Sequence, residues 1–251
     1  NIILIFYQLN MNSISIIVPC YNAEESIAKS VVLLIKKLKK IKIRNEIILI
    51  NDGSVDKTYY KIKNIKNNTV KVINLKKNYG KSFAVRMGLK KAKSDYIILI
   101  DCDLPYFDKF NLLVKKLKEG HDFVAINRRD KKSKIDNKNL SIYQLSRLLI
   151  GNIIGKIINL SLNFDKKITD TQAGLKGFKN FYKNKKINLI SKKFFLDLEI
   201  IFYFIKKKKS LFFIPVKYKI DNKSSIKFFS INSLKTIFEL IKVIKFLRNK
   251  T

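Results

Sequence analysis

The sequence is poor in cysteine and in acidic residues, and it contains no long uncharged apolar run. Its two cysteines, Cys20 and Cys102, are too few for a zinc site or a disulfide framework, so we expect a reducing compartment. No stretch reaches the ~18 uncharged apolar residues of a transmembrane helix. Residues 1–10 are apolar but lack a basic region and a cleavage site, which argues against a secretion signal.

The shortage of acidic residues leaves a large positive charge. Lysine and arginine number 53 against 19 aspartate and glutamate, which gives a formal net charge of +34. Such a charge usually indicates nucleic acid or an anionic membrane as a partner. No aromatic stacking stripe or known binding motif accompanies it, so we expect no nucleic acid. Lysine, isoleucine and asparagine are frequent throughout, as in an AT-rich genome, so much of the charge belongs to solvated faces. A peripheral membrane role is favoured.

The length and the hydrophobic content fit a globular protein. With 251 residues and 47% hydrophobic residues, the chain can bury a full core as one α/β domain, with or without an appendage. Met11 directly precedes the first convincing strand, so we expect the native start there and an upstream extension over residues 1–10. The alternative is a short segment that touches a membrane.

The most informative stretch is Y-I-I-L-I-D-C-D-L-P, from Tyr96 to Pro105. A continuous apolar run bounded by turn signals predicts a strand buried on both faces. Alternation along that strand would place Asp101 and Asp103 on one face. Adjacent carboxylates repel each other, and a divalent cation that also binds a phosphate relieves the repulsion. The alternative is an acidic turn that caps the next helix.

Strands alternate with helices in the first half, which predicts a mostly parallel sheet flanked by helices. Open sheets of this kind bind ligands at the carboxyl ends of their strands. Asn22, after the first strand, is a candidate N-cap for the first helix. The expected strands are 13–19, 46–50, 70–75, 96–100 and 122–126. Ligand-type residues recur at the strand ends, namely Tyr21, Asp52, Lys81, Asp101, Asp103 and Arg128.

The second half has a different character. Ile142–Leu162 is long and apolar with two charged residues, which predicts either a core helix or a helix lying in a membrane interface. The polar segment I-T-D-T-Q-A-G-L-K-G-F, residues 168–178, predicts a loop that presents Asp170 and Gln172. Ser233–Leu247 predicts a basic amphipathic helix that packs on the domain or lies on an anionic membrane.

Two further segments complete the predicted elements. Phe194–Ile200 places Asp197 and Glu199 either at alternating positions of a strand or at the start of a helix. Ile214–Tyr218 predicts a last strand, and its proline argues for an edge position because proline cannot donate a ladder hydrogen bond.

Six motifs follow one another along the chain, namely I-I-V-P-C-Y-N, N-D-G-S-V-D-K-T, N-Y-G-K-S-F-A-V-R-M-G, I-L-I-D-C-D-L, D-T-Q-A-G-L-K-G-F and F-L-D-L-E-I. In this order they resemble the family 2 glycosyltransferases of the GT-A fold, and more narrowly the polyprenyl-phosphate sugar transferases, including dolichyl-phosphate mannose and glucose synthases. The matching segments cover residues 13–200 nearly continuously and reach about residue 227. The resemblance implies a GT-A domain over 11–227 with an amphipathic helical insert at about 140–163, followed by a basic membrane-associated helix over 228–251.

The resemblance also implies a role for each matching residue. Asp101 and Asp103 would hold Mg2+ or Mn2+ on the donor diphosphate, and Arg128 would meet a phosphate of the acceptor or the donor. The reacting sugar would be faced by Asp170 and Gln172, with Asp197 and Glu199 behind or beside it. The nucleotide sugar would be bound by Pro19, Tyr21, Asn22, Glu24, Asp52, Gly53 and Lys81, together with Asp101, Asp103 and Arg128.

Three positions depart from the family pattern. Ala23 stands where relatives often have glutamate, so Glu24 or the next residue must substitute or the contact is lost. Asn51 replaces the first acidic residue of the usual D-D-G-S, and Pro105 replaces the glutamine typical of mannose synthases. Relatives often carry transmembrane helices after the catalytic domain. We expect this chain to reach its lipid through amphipathic segments or a partner.

The resemblance implies inverting transfer of a hexose from UDP-glucose or GDP-mannose to a polyprenyl phosphate, by a peripheral enzyme at the cytoplasmic face of a membrane. A phosphate monoester is largely dianionic at pH 7 and needs little help from a base. The first alternative is a neutral hydroxyl acceptor on a glycan or glycolipid, which requires a true base. The second is a nonenzymatic membrane-binding scaffold that keeps the fold.

Overall fold

The computed structural model describes residues 11–137, 139–164, 168–183, 187–220 and 231–250. The expected extension over residues 1–10 and the expected domain boundary at 227–228 lie outside these residues. The strands are β1 Ser13–Cys20, β2 Arg44–Asn51, β3 Val70–Asn74, β4 Tyr96–Ile100, β5 Phe123–Asn127, β6 Lys134–Ile135, β7 Leu175–Lys179, β8 Leu211–Pro215 and β9 Lys217–Tyr218. The helices are α1 Ile27–Lys39, α2 Thr58–Lys63, α3 Lys81–Lys91, α4 Phe110–Lys118, α5 Ile142–Leu162, α6 Leu196–Lys206 and α7 Ile231–Arg248.

The main sheet has seven strands in the order β3-β2-β1-β4-β7-β5-β8, and β6 and β9 pair in a second small sheet. Every pairing in the main sheet is parallel except those of β7, which is antiparallel to both β4 and β5. The predicted α/β class and mostly parallel sheet are therefore confirmed. The last strand predicted over Ile214–Tyr218 is divided between β8, which ends at Pro215, and β9 of the small sheet. Strand β8 lies at one edge, as its proline indicated, because an edge strand needs no donor there.

Strand β7 corrects the prediction of a loop over residues 168–178. Its glycine, Gly177, was a turn signal in the sequence, but in the structure it allows helix α4 to pack closely on the sheet. A Cβ at this position would lie 2.7 Å from Leu113 Cδ2 and 2.8 Å from Leu117 Cδ1. A glycine inside a strand often marks such a close approach. Only the first part of the segment, with Asp170 and Gln172, remains a loop.

The start of the first helix also differs from the prediction. Helix α1 begins at Ile27 after its N-cap residue Ser26, whose side chain makes no capping hydrogen bond. Asn22 lies four residues earlier with a left-handed φ of 47°. Its side-chain oxygen accepts a hydrogen bond from the Val55 amide at 3.0 Å, so it joins two loops instead of capping a helix.

Helix α5 does not belong to the main core. By length and composition it is the one helix of the described residues that could cross a membrane, and only 11% of its most apolar 18-residue window is buried. This exposure argues against the core-helix alternative. Its buried side chains join helices α6 and α7 in a small separate cluster. The members of this cluster are Ile158, Leu162, Phe195, Leu198, Phe202, Leu240, Val243 and Leu247.

Candidate active site

The loops after β1 and β2 meet at the carboxyl edge of the sheet, where they are joined by hydrogen bonds. The Asn22 amide donates to Ser54 Oγ at 3.0 Å, and the Ala23 amide donates to Thr58 Oγ1 at 2.7 Å. Glu24 accepts from the Lys57 amide at 2.9 Å. The Glu24 carboxylate therefore supports the neighbouring loop at the start of α2. Backbone amides that donate to hydroxyl, amide and carboxylate oxygens therefore hold this edge in place.

Asp52 joins the second loop to the third. Its carboxylate accepts from the amides of Tyr79 at 2.8 Å and Gly80 at 2.9 Å, and the residue is buried. Gly53 follows with a φ of 66°, and a Cβ there would lie 2.2 Å from the backbone carbon of Lys77. Only glycine fits this turn. A carboxylate has room for further donors, so Asp52 can still accept from a ligand.

Pro19 and Tyr21 flank the end of β1 at the same edge. Pro19 is the last but one residue of the strand and pairs in register with Ile50 of β2. Tyr21 follows the strand, and its side chain is 47% exposed. The structure thus brings Pro19, Tyr21, Asn22, Asp52 and Gly53 to the carboxyl ends of β1 and β2. Their role in binding a nucleotide stays a prediction.

Asp101 pairs with Lys81, the first residue of α3. The Lys81 Nζ atom lies 2.6 Å from Asp101 Oδ1. The strand-alternation argument for Asp101 and Asp103 was wrong, because β4 ends at Ile100 and a turn follows in which the Leu104 amide donates to the Asp101 carbonyl at 2.9 Å. The turn leaves the side chain of Asp103 exposed beside this pair.

The carboxylates of Asp101 and Asp103 fit a divalent cation that is held mainly by the phosphate oxygens of a substrate. Mg2+ and Mn2+ prefer oxygen ligands, and Mg2+ commonly takes one or two carboxylates together with phosphate oxygens. Asp101 and Asp103 supply two carboxylates. Within the described ranges no group of three or more histidine, cysteine, aspartate or glutamate side chains could hold a metal ion. The residues therefore fit an ion that arrives with a diphosphate better than a preformed metal cage.

Strand β7 contributes a second ion pair near Lys81 and Asp101. Lys176 Nζ lies 2.6 Å from Asp197 Oδ2, with the two side chains 4% and 12% exposed. Burial lowers the pKa of Lys176, and the nearby Lys81 ammonium lowers it further, against the effect of Asp197. For Lys81, burial also lowers the pKa, but the Asp101 and Asp197 carboxylates outweigh it and the net pKa is raised. Two lysines and two carboxylates thus form one electrostatic cluster.

Lys176 was not among the residues singled out from the sequence. It is the lysine of D-T-Q-A-G-L-K, and the available signal was its place in that motif. Gly174 in the same motif has a role of its own, because a Cβ there would lie 2.8 Å from Asp101 Oδ2 and 2.6 Å from Pro105 Cγ. The motif therefore provides both the space for the Asp101 carboxylate and the neighbouring positive charge.

Arg128 and Asp170 form a bidentate pair beyond the end of β5. Arg128 Nε donates to Asp170 Oδ2 at 2.7 Å, and Nη2 donates to Oδ1 at 2.8 Å. The Arg128 backbone amide donates to the same carboxylate at 3.0 Å. Burial alone would raise the pKa of Asp170, but the hydrogen bonds and charge of Arg128 hold it at about 2. Asp170 is therefore ionised at neutral pH.

Arg129, the next residue, has a buried N–H group without an acceptor among the described residues. Arg129 Nη1 donates to the Thr169 carbonyl at 2.9 Å, and its guanidinium packs on Gly151 of α5, where a Cβ would lie 2.2 Å from Nη2. Arg129 Nε and Gln172 Nε2 are both buried and have no acceptor among the described residues. Buried donors are nearly always paired, so these two N–H groups favour an acceptor from a ligand.

Glu199 is not part of these clusters. It lies in the first turn of α6, as does Asp197, so the helix-start alternative is confirmed. Its two carboxylate oxygens accept from the amides of Ile190 at 2.7 Å and Ser191 at 3.0 Å. Burial raises the pKa of Glu199. The structure therefore separates Glu199, which supports a backbone segment, from Asp197, which pairs with Lys176.

The family model and the similar proteins agree on one family. A sequence model described as glycosyl transferase family 2 matches residues 15–186. A glycosyltransferase of Synechocystis sp. is 32% identical over 152 residues, which are 59% of this chain and 46% of that protein. The undecaprenyl-phosphate 4-deoxy-4-formamido-L-arabinose transferase of Proteus mirabilis is 35% identical over 125 residues, 48% of this chain and 38% of that protein. The matches thus span less than half the length of these relatives.

Solved structures share the fold. Glucosyl-3-phosphoglycerate synthase from Mycobacterium tuberculosis superposes with a TM-score of 0.65 at 17% identity, covering 96% of this chain and 83% of that one. The same enzyme in complex with Mn2+, UDP and glucosyl-3-phosphoglycerate gives a TM-score of 0.61 at 17% identity, covering 93% and 77%. At this level of identity the likeness concerns the fold, and the predicted GT-A fold is confirmed.

Proposed function

The chain belongs to glycosyl transferase family 2, and on that premise we propose that it transfers a hexose from a nucleotide-diphosphate sugar to a polyprenyl phosphate at a membrane surface. The observation that carries the proposal is the arrangement of charge along one edge of the sheet. Two acidic residues, Asp101 and Asp103, follow β4, and two basic residues, Arg128 and Arg129, follow β5. Both strands are antiparallel to β7, which lies between them, so their carboxyl ends lie at the same edge of the sheet. Such an edge suits a metal-bound diphosphate next to a second phosphate.

The donor half of the site supports a nucleotide sugar. A bound Mg2+ or Mn2+, held by Asp103 and Asp101, would stabilise negative charge on the diphosphate leaving group. Lys81 adds a positive charge on the same side, since its ammonium already lies on Asp101. Asp52 holds the loop of Tyr79 and Gly80, and its carboxylate has lone pairs left to accept a hydrogen bond from the nucleotide base.

The acceptor half supports an anionic acceptor. Arg128 is held in place by Asp170, which leaves Arg129 Nε and Gln172 Nε2 as buried donors that need an acceptor oxygen. A phosphate dianion provides such oxygens and attacks without a strong base. In this proposal Asp170 fixes the arginines, and its depressed pKa makes it a poor general base at neutral pH. A neutral hydroxyl acceptor would lack the base that it needs.

The exposed faces of α5 and α7 support a membrane surface. Helix α5 carries an apolar stripe at helical spacing, and α7 carries a shorter one beside several lysines. Between the two helices lies an apolar groove of about 790 Å³ with Lys245 and Arg248 at its margin. Helices of this kind bury their apolar face in the acyl region while lysines meet anionic headgroups. The stripes consist of Ile142, Leu145, Leu149, Ile153, Ile157 and Leu160 on α5, and Ile237, Phe238 and Ile241 on α7.

A transfer assay tests the proposal. Purified protein is incubated with Mg2+ or Mn2+, a short-chain polyprenyl phosphate, and labelled UDP-glucose or GDP-mannose in parallel. We expect label in the organic phase from one donor and its loss on addition of a chelator. The donor that labels the lipid also identifies the sugar. A parallel reaction with a polyprenol that lacks the phosphate controls for a hydroxyl acceptor.

Other outcomes would overturn the proposal in different ways. Donor hydrolysis or binding without a lipid product would keep the donor site and move the acceptor to a glycan hydroxyl. Label transferred equally to polyprenol would show that the phosphate is not needed, against the role given to Arg129. A protein that neither binds the donor nor transfers its sugar would favour the nonenzymatic scaffold.

A further inference from the structure

Residues 190–193, between β7 and α6, form a short segment that contacts three different helices. We call it the bridging segment. Two glutamates hold it from one side. Glu199 of α6 accepts from the amides of residues 190 and 191. Glu239 of α7 accepts from the amides of Lys192 at 2.6 Å and Lys193 at 2.7 Å, and from Ser191 Oγ at 2.9 Å. Four consecutive amides are thus bound by two carboxylates.

The other side of the bridging segment holds the start of α3. The amide of Ser82 donates to the Lys193 carbonyl at 3.0 Å, and the amide of Phe83 donates to the Lys192 carbonyl at 3.1 Å. Ser82 Oγ lies 3.0 Å from Ser191 Oγ. The first amides of a helix have no partner within the helix, so these carbonyls complete the N-terminus of α3.

The start of α3 is also part of the donor pocket. Lys81 pairs with Asp101, and the amide of Gly80 donates to Asp52. Gly80 has a φ of 100°, and a Cβ there would lie 2.7 Å from the Lys192 carbonyl oxygen, so the backbone of the bridging segment packs directly on this turn. A displacement of the bridging segment would therefore move both the Asp52 loop and the Lys81 ammonium.

We propose that Glu239 is a positioning residue for the donor pocket, and that α7 must be seated on the bridging segment for tight nucleotide binding. The inference rests on the proposed function, since it assigns the pocket of Asp52, Lys81 and Asp101 to the nucleotide diphosphate. Glu239 touches no part of that pocket itself. It acts through the backbone of Lys192 and Lys193, whose carbonyls hold α3.

The surroundings of Glu239 favour this role over a general contribution to packing. It is the one acidic residue of a strongly basic helix. All three hydrogen bonds fall on Oε1, while Oε2 is buried without a partner within the described part of the chain. Burying an oxygen without a partner is costly, so the cost must be offset by the three contacts on Oε1. The same helix exposes Ile237, Phe238 and Ile241, which connects the proposed membrane face to the donor pocket.

The test compares the full chain with Glu239→Ala, Glu239→Gln and Lys242→Ala. Glutamine keeps an oxygen that can accept the same hydrogen bonds, and Lys242 is an exposed residue of the same helix. Calorimetry with UDP and with GDP, each in the presence of Mn2+, measures nucleotide affinity. We expect Glu239→Ala to weaken binding of the preferred nucleotide by roughly tenfold, because charge-assisted hydrogen bonds are lost. Glu239→Gln should recover most of the affinity, and Lys242→Ala should bind as the wild type does.

Hydrogen exchange provides a second readout that needs no ligand. In Glu239→Ala the amides of residues 79–83 and 192–193 should exchange faster, while those of β1 keep their protection. If Glu239→Ala does not fold, Ser191→Ala removes the hydroxyl between Ser82 and Glu239, which also accepts from the Phe195 amide at 2.9 Å. It should show the same pattern at smaller amplitude, with faster exchange at residue 195 in addition. Unchanged exchange at residues 79–83 in a folded variant would overturn the inference.

The two proposals fail in distinguishable ways. A wild-type protein that binds neither nucleotide contradicts the proposed function, and hydrogen exchange still decides whether Glu239 controls the start of α3. A wild-type protein that binds a nucleotide, with Glu239→Ala binding equally well, contradicts the role of Glu239 alone. Equal losses in Glu239→Ala and Lys242→Ala would assign the effect to α7 as a whole and also overturn the specific role.

Discussion

The donor half and the acceptor half of the site are built in different ways. In the donor half, Asn22, Ala23 and Asp52 join three loops through hydrogen bonds with backbone amides at short distances. In the acceptor half, Arg128 and Asp170 form a bidentate ion pair, and Lys176 and Asp197 form another ion pair in the cluster that includes Lys81 and Asp101. The loops of the donor half are thus held by hydrogen bonds to backbone amides, and the rest of the site by a few strong ion pairs.

The difference has a consequence for how each half responds to change. Hydrogen bonds between loops are individually modest, so the loss of one leaves the others in place. A buried ion pair is different, because removing one partner leaves an uncompensated charge in a medium of low polarity. Substitutions in the loops of the donor half should therefore change turnover more than folding, and substitutions in the ion pairs should change folding as well.

The largest expected effect is on turnover, from Asp103→Asn in the donor half. The variant keeps the shape of the exposed side chain but removes a carboxylate proposed to hold the metal. We expect metal-dependent transfer to fall by about 10²–10³-fold, the range for loss of one group that stabilises developing charge, with unchanged thermal unfolding. Asp108→Asn, an exposed aspartate nearby, is the matched control. Turnover like that of the wild type in Asp103→Asn would contradict the metal assignment.

The next effect is on stability, from Lys176→Met in the buried ion pair with Asp197. Methionine fills a similar volume but leaves Asp197 buried without its partner, so we expect a loss of about 3 kcal/mol in the free energy of unfolding, measured by urea titration at pH 7. The double variant Lys176→Met with Asp197→Leu should recover much of this loss. A single variant as stable as the wild type would show that the pair is not important for folding and would weaken the contrast between loop hydrogen bonds and buried ion pairs.

A smaller effect is expected from Asp170→Asn, and it should depend on pH. The pKa of Asp170 in the folded protein is about 2, below the ordinary value of ~3.9 for an unfolded chain. A depressed pKa contributes stability that is fully present above the ordinary value and is lost as the pH falls through the folded value. From this shift we expect Asp170→Asn to cost about 2 kcal/mol at pH 7.

The pH dependence separates this effect from simple packing. The stability difference between the wild type and Asp170→Asn should be constant near neutrality and shrink between about pH 4 and pH 2. Asp136→Asn removes an exposed aspartate paired with Lys217 and should change little. A difference that stays constant down to pH 2 would mean that the charge of Asp170 does not stabilise the fold.

The smallest expected effect concerns the membrane face. Leu149→Glu places a charge on the exposed stripe of α5, where the wild-type side chain is 62% exposed. We expect binding to vesicles that contain anionic lipid to weaken by roughly tenfold, since one leucine no longer enters the bilayer, while unfolding is unchanged. Val32→Glu makes the same change at an exposed site of α1 and should bind normally. Equal loss in both variants would indicate nonspecific electrostatics.

The features that follow local sequence patterns could be predicted from the sequence, and those that depend on contacts between distant segments could not. Strands β1 to β5 and helix α5 follow local apolar patterns, and the residues of the donor half sit directly after those strands, so both were predicted. Strand β7 was not predicted because Gly177 is a turn signal when only its neighbours in sequence are considered. The glycine is needed for close packing against α4, which is far away in sequence. The pair of Lys176 and Asp197 depends on that strand. Glu239 was missed because its partners lie more than forty residues away along the chain.

The antiparallel insertion of β7 also sets an order of events during synthesis. Strands β3, β2, β1 and β4 are neighbours and all lie within the first hundred residues, so they can pair as soon as they leave the ribosome. Within the described part of the chain, strand β5 pairs only with β7 and β8. It must therefore wait for Leu175–Lys179, which takes roughly 2–10 s at ordinary elongation rates. During that interval an apolar strand has two open edges, and this is the stage at which a chaperone would be most useful to the nascent chain.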